Sequence, residues 1–135
     1  MQVQPYLFFD GRCDEAIEFY KAHLGATVEM LMRYKEAPDQ SRVTPESRDK
    51  IMHASLRIGD TRVLASDGHC AGKPNFQGFS LAVTAKDEAD AERIFKGLSA
   101  EGEVRMPMEK TFFSPRFGMV ADKFGVGWMV MAPAK

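Results

Sequence analysis

One order of elements, a strand, a helix and then three strands, occurs twice along this chain, and that repetition limits the fold more than any single motif. The first copy opens at Val3 to Phe9, an aromatic and aliphatic run that ends on the turn signal Asp10-Gly11 and predicts a buried strand. Asp14 suits the N-cap of the helix that follows, in which Ala16, Ile17, Phe19, Tyr20 and Leu24 recur at helical spacing until Gly25 stops it. Thr27 to Lys35 alternates as a strand, and 36–49, with Pro38 and Pro45, has no periodicity and is a long exposed loop. Lys50 to Ile58 and Thr61 to Ser66 flank Gly59-Asp60 as a hairpin.

After a linker at 68–75 the pattern begins again. Phe76 to Val83 predicts a strand, Asp87 to Ala100 a helix, Val104 to Met108 a strand, and Arg116 to Asp122 with Val126 to Met131 a second hairpin around Lys123-Phe124-Gly125. The two helices also align residue by residue: Ala16, Phe19, Tyr20 and Lys21 match Ala91, Ile94, Phe95 and Lys96 at an offset of 75. The fold class expected is α+β, with β-α-β-β-β modules at 1–67 and 76–135. One helix for four strands covers one face of a sheet, so the other face must curl around something, and a concave sheet surface is a natural ligand cavity.

Composition narrows the function. Eighteen basic and nineteen acidic residues give a net charge of -1, without the basic footprint of a nucleic-acid binder, so a small-molecule ligand is the expected partner. The longest apolar run, Trp128 to Ala132, is far too short for a membrane span, and Met1 to Pro5 lacks the features of a signal peptide, which predicts a cytoplasmic protein with no membrane partner. Cys13 and Cys70, without CxxC spacing, are expected to be free thiols.

Several motifs together identify a resemblance. Tyr6-Leu7-Phe8-Phe9-Asp10-Gly11, then Phe19-Tyr20 with Leu24-Gly25, then Met52-His53-Ala54, Ser66-Asp67-Gly68, Phe76-Gln77-Gly78-Phe79 and Asp122-Lys123-Phe124-Gly125-Val126-Gly127-Trp128 resemble a PhnB-like protein of the vicinal oxygen chelate superfamily. That superfamily includes glyoxalase I, bleomycin-resistance proteins and extradiol dioxygenases. The resemblance implies paired modules around a cavity and a homodimer. Metal-dependent members carry a ring of His, Glu or Gln ligands, and the matching positions here hold Pro5, Ala65 or Ser66, Gly78 and Met129, so neither a metal nor another cofactor is expected. Relatives carry a demethylubiquinone methyltransferase label. Methyl transfer from S-adenosylmethionine normally uses a Gly-rich loop after the first strand, and Asp10-Gly11-Arg12-Cys13 is not such a loop.

His53 lies on the polar side of its strand with Ser55, where a neutral imidazole can orient a ligand or act as general base. Asp67 and Ser66 end the neighbouring strand. Asp67 is expected either to orient His53 as its catalytic partner or to cap the turn that follows, and Ser66 to contact the ligand. In the loop at 111–116, Phe112, Phe113 and Arg116 offer two aromatic rings and a guanidinium for a planar or anionic ligand, or else close the core and pair with an acid. Trp128 and Phe124 are expected to pack in the last hairpin, and His23 and His69 to be solvated. Two functional classes stay open: a small-molecule-binding protein, or an enzyme acting on a small metabolite with His53 as general base.

Overall fold

The computed structural model describes residues 1–68 and 73–134, so the expectations placed on His69 and Cys70 lie outside the described residues. The chain divides into two compact units, Met1–Pro74 and Asn75–Lys135. The first runs β1 (Tyr6–Phe8), α1 (Cys13–Leu24), β2 (Thr27–Arg33), β3 (Ile51–Ile58) and β4 (Thr61–Ser66). The second runs β5 (Leu81–Thr84), α2 (Glu88–Ser99), β6 (Glu103–Glu109), β7 (Phe117–Ala121) and β8 (Gly127–Met131). The sheets are ordered β1-β4-β3-β2 and β5-β8-β7-β6. In each, the first strand pairs parallel to the last and the remaining pairs are antiparallel. The helix therefore carries the chain from one edge of the sheet to the other, and a hairpin fills the gap.

In the first unit α1 buries Ala16, Ile17, Phe19 and Tyr20, while the alternate strand positions Leu7, Ala54, Leu56, Val63 and Ala65 are each no more than 5% exposed. Each large aliphatic side chain removed from water contributes about 1.5 to 3 kcal/mol, so this one-sided pattern holds the helix on one face of the sheet. Gly25 ends α1 with φ 65°, the left-handed C-cap that the sequence predicts. In the second unit Ala91, Ile94 and Leu98 of α2 are buried, and the Asp87 carboxylate caps the helix by accepting from the Asp90 amide at 2.8 Å.

Three local expectations need correction. The strand predicted over Val3 to Phe9 forms only at Tyr6–Phe8, because Pro5 has no amide to donate; its carbonyl accepts from the Leu64 amide at 2.9 Å and the ladder starts after it. The strand predicted from Phe76 starts at Leu81, after Gly78 has turned the chain at φ 78°. Asp14 does not cap α1. Arg12 holds the N-cap position without a side-chain cap, and Asp14 sits in the first turn, where its carboxylate pairs with Arg33 of β2 at 2.8 Å.

Candidate functional site

Side chains alternate across a strand, so the residues that do not face α1 share the other face of the first sheet. Register sets them side by side: Tyr6 opposite Leu64, Leu64 opposite Ser55, Ser55 opposite Met30, and His53 opposite Met32. Phe8 lies two residues beyond Tyr6 on the same face and is 52% exposed. The Tyr6 hydroxyl and His53 Nδ1 are 3.0 Å apart, with ring centroids separated by 5.6 Å, and Tyr6 and Phe8 lie 4.8 Å apart with their planes tilted by 32°. With the phenol donating to Nδ1, the second ring nitrogen, Nε2, keeps its proton and is the available donor.

Ser55 lies beside this ring cluster. It is only 7% exposed, and its Oγ has no hydrogen-bond partner among the described residues. Burying a hydroxyl without a partner costs about 1 to 3 kcal/mol, a penalty that a ligand or a water bonded at that point would relieve. Farther along the same strands Arg57 and Arg62 both bond Glu29, at 3.1 and 2.8 Å. Those bonds, that of Arg62 first, hold the Glu29 carboxyl below the usual carboxylate range, and the trio leaves this end of the face with a net positive charge.

The structure does not bring Asp67 to His53. Asp67 is 1% exposed, and its Oδ1 accepts from the amides of Gly11 and Cys13 at 2.8 and 2.9 Å while Oδ2 accepts from the Ile51 amide at 2.8 Å. One carboxylate thus joins the loop after β1, the start of α1 and the start of β3. It neither orients the imidazole nor caps the turn that follows. A buried carboxylate is acceptable here because three amide donors and the positive end of α1 replace the water it loses. Ser66 is 2% exposed, and its Oγ accepts from the Gly68 amide at 3.2 Å. Cys13, fully buried beside Asp67, has its thiol pushed up by burial and then by the carboxylates of Asp67 and Asp14, which removes its nucleophilic form.

The loop at 111–116 divides its residues. Phe112 is fully exposed, and it and Phe113 help to line a shallow depression of about 530 Å³ with Glu88, Lys110, Pro115 and Ala134. Phe113 also meets Phe117 edge-on at 5.0 Å. Arg116 does not join them: its guanidinium pairs with Glu92 of α2 and donates to the Met108 carbonyl at 3.5 Å, so the acid-pairing expectation describes it and the ligand-holding one does not. Trp128 and Phe124 are 2% and 9% exposed, and the Trp128 indole donates to the Asp122 carboxylate at 2.9 Å. His23 is half-buried against Phe19, 4.7 Å away, rather than solvated, since the last turn of α1 folds its imidazole onto the ring one turn earlier.

Two kinds of bound group are tested by these residues. The four positions matched to a metal ring supply a proline, an alanine or a serine whose hydroxyl is already bonded, a glycine and a thioether, which is no donor set for a hard divalent ion. No three His, Cys, Asp or Glu side chains converge among the described residues. The loop after β1 is equally unsuited to a nucleotide-like cofactor, because the Gly11 and Cys13 amides that would face it are held by the chain's own Asp67.

Sequence reasoning picked out His53 and Ser55 but missed Tyr6. The signal was present: in an edge strand of three residues, Tyr6 and Phe8 flank buried Leu7, which is alternation rather than burial on both faces.

Comparison with known proteins places this geometry in a family. A family model described as 3-demethylubiquinone-9 3-methyltransferase matches residues 1–131. The crystal structure of PA1353 from Pseudomonas aeruginosa is 39% identical, covers 100% of this chain and 99% of its own, and superimposes with a TM-score of 0.88. The PhnB protein from Bacillus cereus is 22% identical with a TM-score of 0.81, covering 98% of this chain and 99% of its own. A glyoxalase-related enzyme from Fulvimarina pelagi shares the fold at 16% identity and a TM-score of 0.63, over 98% of this chain and 88% of its own.

Proposed function

The chain belongs to the PhnB-like family described as 3-demethylubiquinone-9 3-methyltransferase, with the glyoxalase and bleomycin-resistance fold, and from that premise we propose that it binds a small molecule on the open face of its first sheet. The observation that carries this reading is the buried, unpartnered Ser55 hydroxyl beside the Tyr6–His53 pair. A ligand lying against the Tyr6 and Phe8 rings would accept from His53 Nε2 and satisfy Ser55. In this reading Asp67 is a structural anchor, Ser66 and Arg116 stand outside the site, and no metal takes part. Methyl transfer is not the activity supported here, because the sheets are small and mixed and the loop after β1 is filled by Asp67.

His53 acting as a general base is the second reading, favoured by one observation: the Tyr6 hydroxyl engages the ring at Nδ1, and in the tautomer where Nδ1–H donates to the phenol oxygen, Nε2 is free to accept a proton. We further propose a homodimer, since an open sheet face with exposed Tyr6, Phe8 and Met30 is a liability for a lone chain. Sedimentation giving 15.1 kDa at every concentration would remove that part.

The test of the site is native mass spectrometry of protein purified without added ligand, comparing wild type with Ser55→Ala and His53→Ala. A retained small-molecule adduct whose occupancy falls in both variants is expected. Adduct occupancy unchanged by both substitutions, or no adduct from protein exposed to a metabolite extract, would refute the assignment.

A further inference from the structure

The second sheet presents a face of different chemistry. A Cβ placed on Gly118 would point into Phe95 of α2, so Gly118 faces the helix and its strand neighbours Phe117 and Met119 face away. Register then places Met106, Met119 and Met129 side by side across β6, β7 and β8 on that outer face, each of them half-buried. Three adjacent thioethers make a soft, polarisable floor that adapts to apolar or aromatic surfaces of different shape.

A cation stands at the edge of this floor. The pairing of β6 with β7 shifts between Val104 and Met106, leaving Arg105 as the extra residue of a bulge, a position that re-aims a side chain. Its Nη1 reaches within 3.4 Å of the point where a Cβ on Gly127 would stand, and the Ser80 Oγ lies 2.9 Å from the same point. Gly127 precedes Met129 by two residues on one strand, so this point is on the methionine face. The absent side chain at Gly127 is what lets the guanidinium and the hydroxyl approach each other there.

Arg105 pairs with no carboxylate among the described residues. Arg12, Arg33, Arg57, Arg62, Arg93 and Arg116, the other arginines on or next to the regular elements, each have an acidic partner. A guanidinium at the edge of an apolar floor beside a hydroxyl donor matches the two oxygens of an anionic head group.

We propose that the outer face of the second sheet binds an organic anion with an apolar body, its carboxylate, sulfonate or phosphate held between Arg105 and Ser80 and its body lying on Met106, Met119 and Met129. The site rests on the second unit alone and does not depend on the role given to His53 and Ser55.

A matched pair of dyes tests it: 8-anilinonaphthalene-1-sulfonate, which carries the anion, and N-phenyl-1-naphthylamine, which lacks it. Binding is followed by fluorescence and by the methyl resonances of ¹³C-labelled methionines, assigned by single Met→Leu variants. Saturable shifts at Met106, Met119 and Met129 are expected. Arg105→Gln should weaken the sulfonate about tenfold and the neutral dye less than twofold, and Ser80→Ala should weaken the sulfonate by about threefold. Arg105 is exposed, so the thermal midpoint should not move. Rising salt should weaken the sulfonate in wild type and leave the neutral dye unchanged. Equal affinity of wild type and Arg105→Gln for the sulfonate, no saturable binding, or shifts confined to Met30 and Met32 of the first sheet would overturn the proposal. That last outcome would still leave the site at Ser55 intact.

Discussion

The two units share one topology but tie it together with different polar groups. In the first, the residue after the last strand is Asp67; its amide donates to the Ile51 carbonyl at the start of the third strand, and its carboxylate collects three further amides. In the second, the corresponding residue is Ala132, whose amide makes the matching bond to the Arg116 carbonyl. Here the tie is instead the buried Ser114 hydroxyl, whose single proton lies within donating distance of the carbonyls of Arg116 and Ala132, at 2.8 and 2.7 Å, and α2 is capped by its own Asp87. The backbone arrangement is therefore carried by the apolar pattern and strand order. The polar anchors are local and differ between the two units.

If that is correct, the two anchors should differ sharply in strength. Asp67→Ala leaves three buried amides without an acceptor, and a loss of about 3 to 5 kcal/mol in urea unfolding is expected. Ser114→Ala removes one neutral hydroxyl and should cost about 1 to 2 kcal/mol by the same measurement. Equal costs for the two would break the comparison.

The hairpins provide the next contrast. Asp122 accepts from the amides of Phe124 and Val126 and from the Trp128 indole, whereas the Gly59-Asp60 turn of the first unit has no such carboxylate bonded within it. Asp122→Ala should lower stability by about 2 to 3 kcal/mol, and Asp60→Ala, on an exposed turn, by less than about 0.5 kcal/mol. Chemical denaturation of both variants decides this.

Smaller again is the effect expected at Ser55. Since its Oγ has no partner among the described residues, Ser55→Ala should leave stability unchanged or raise it by up to about 1 kcal/mol, while the loss of ligand described above persists. A fall of more than about 1 kcal/mol would show that the hydroxyl has a structural partner in solution.

A further small effect concerns helix tethering. Asp14 of α1 pairs with Arg33 of β2, and Glu92 of α2 with Arg116 beside β7. The hydrogen bond from Arg33 holds the Asp14 carboxyl below its ordinary value, so this contribution is present above the unfolded-state pKa near 3.9 and is lost as pH falls through the lower folded value. Because both groups are partly exposed, Asp14→Asn should cost only about 0.5 to 1 kcal/mol at pH 6. Stability measured from pH 6 to pH 2 should show the wild-type advantage shrinking to nothing at the acid end; an advantage that grows there would contradict the assignment.

The sequence by itself determined the element order and the helix stripes. Ala16, Ile17, Phe19 and Tyr20, like Ala91, Ile94 and Leu98, are spaced by helix geometry alone, and a left-handed stop at Gly25 needs no tertiary partner. It also placed His53 and Ser55 on the face away from the helix, because strand alternation is a local rule. What only the tertiary structure decided were the partners. Asp67 looks like a turn residue or a catalytic carboxylate until the fold brings it to Gly11 and Cys13, more than fifty residues away, and to Ile51. Tyr6 becomes the partner of His53 only when β1 pairs parallel with β4, and Arg105 is re-aimed only by a bulge that the register of β6 against β7 creates. Periodicity is a property of neighbouring residues and survives in the sequence, whereas hydrogen-bond partners are set by which strands pair and in what register, and that depends on the chain as a whole.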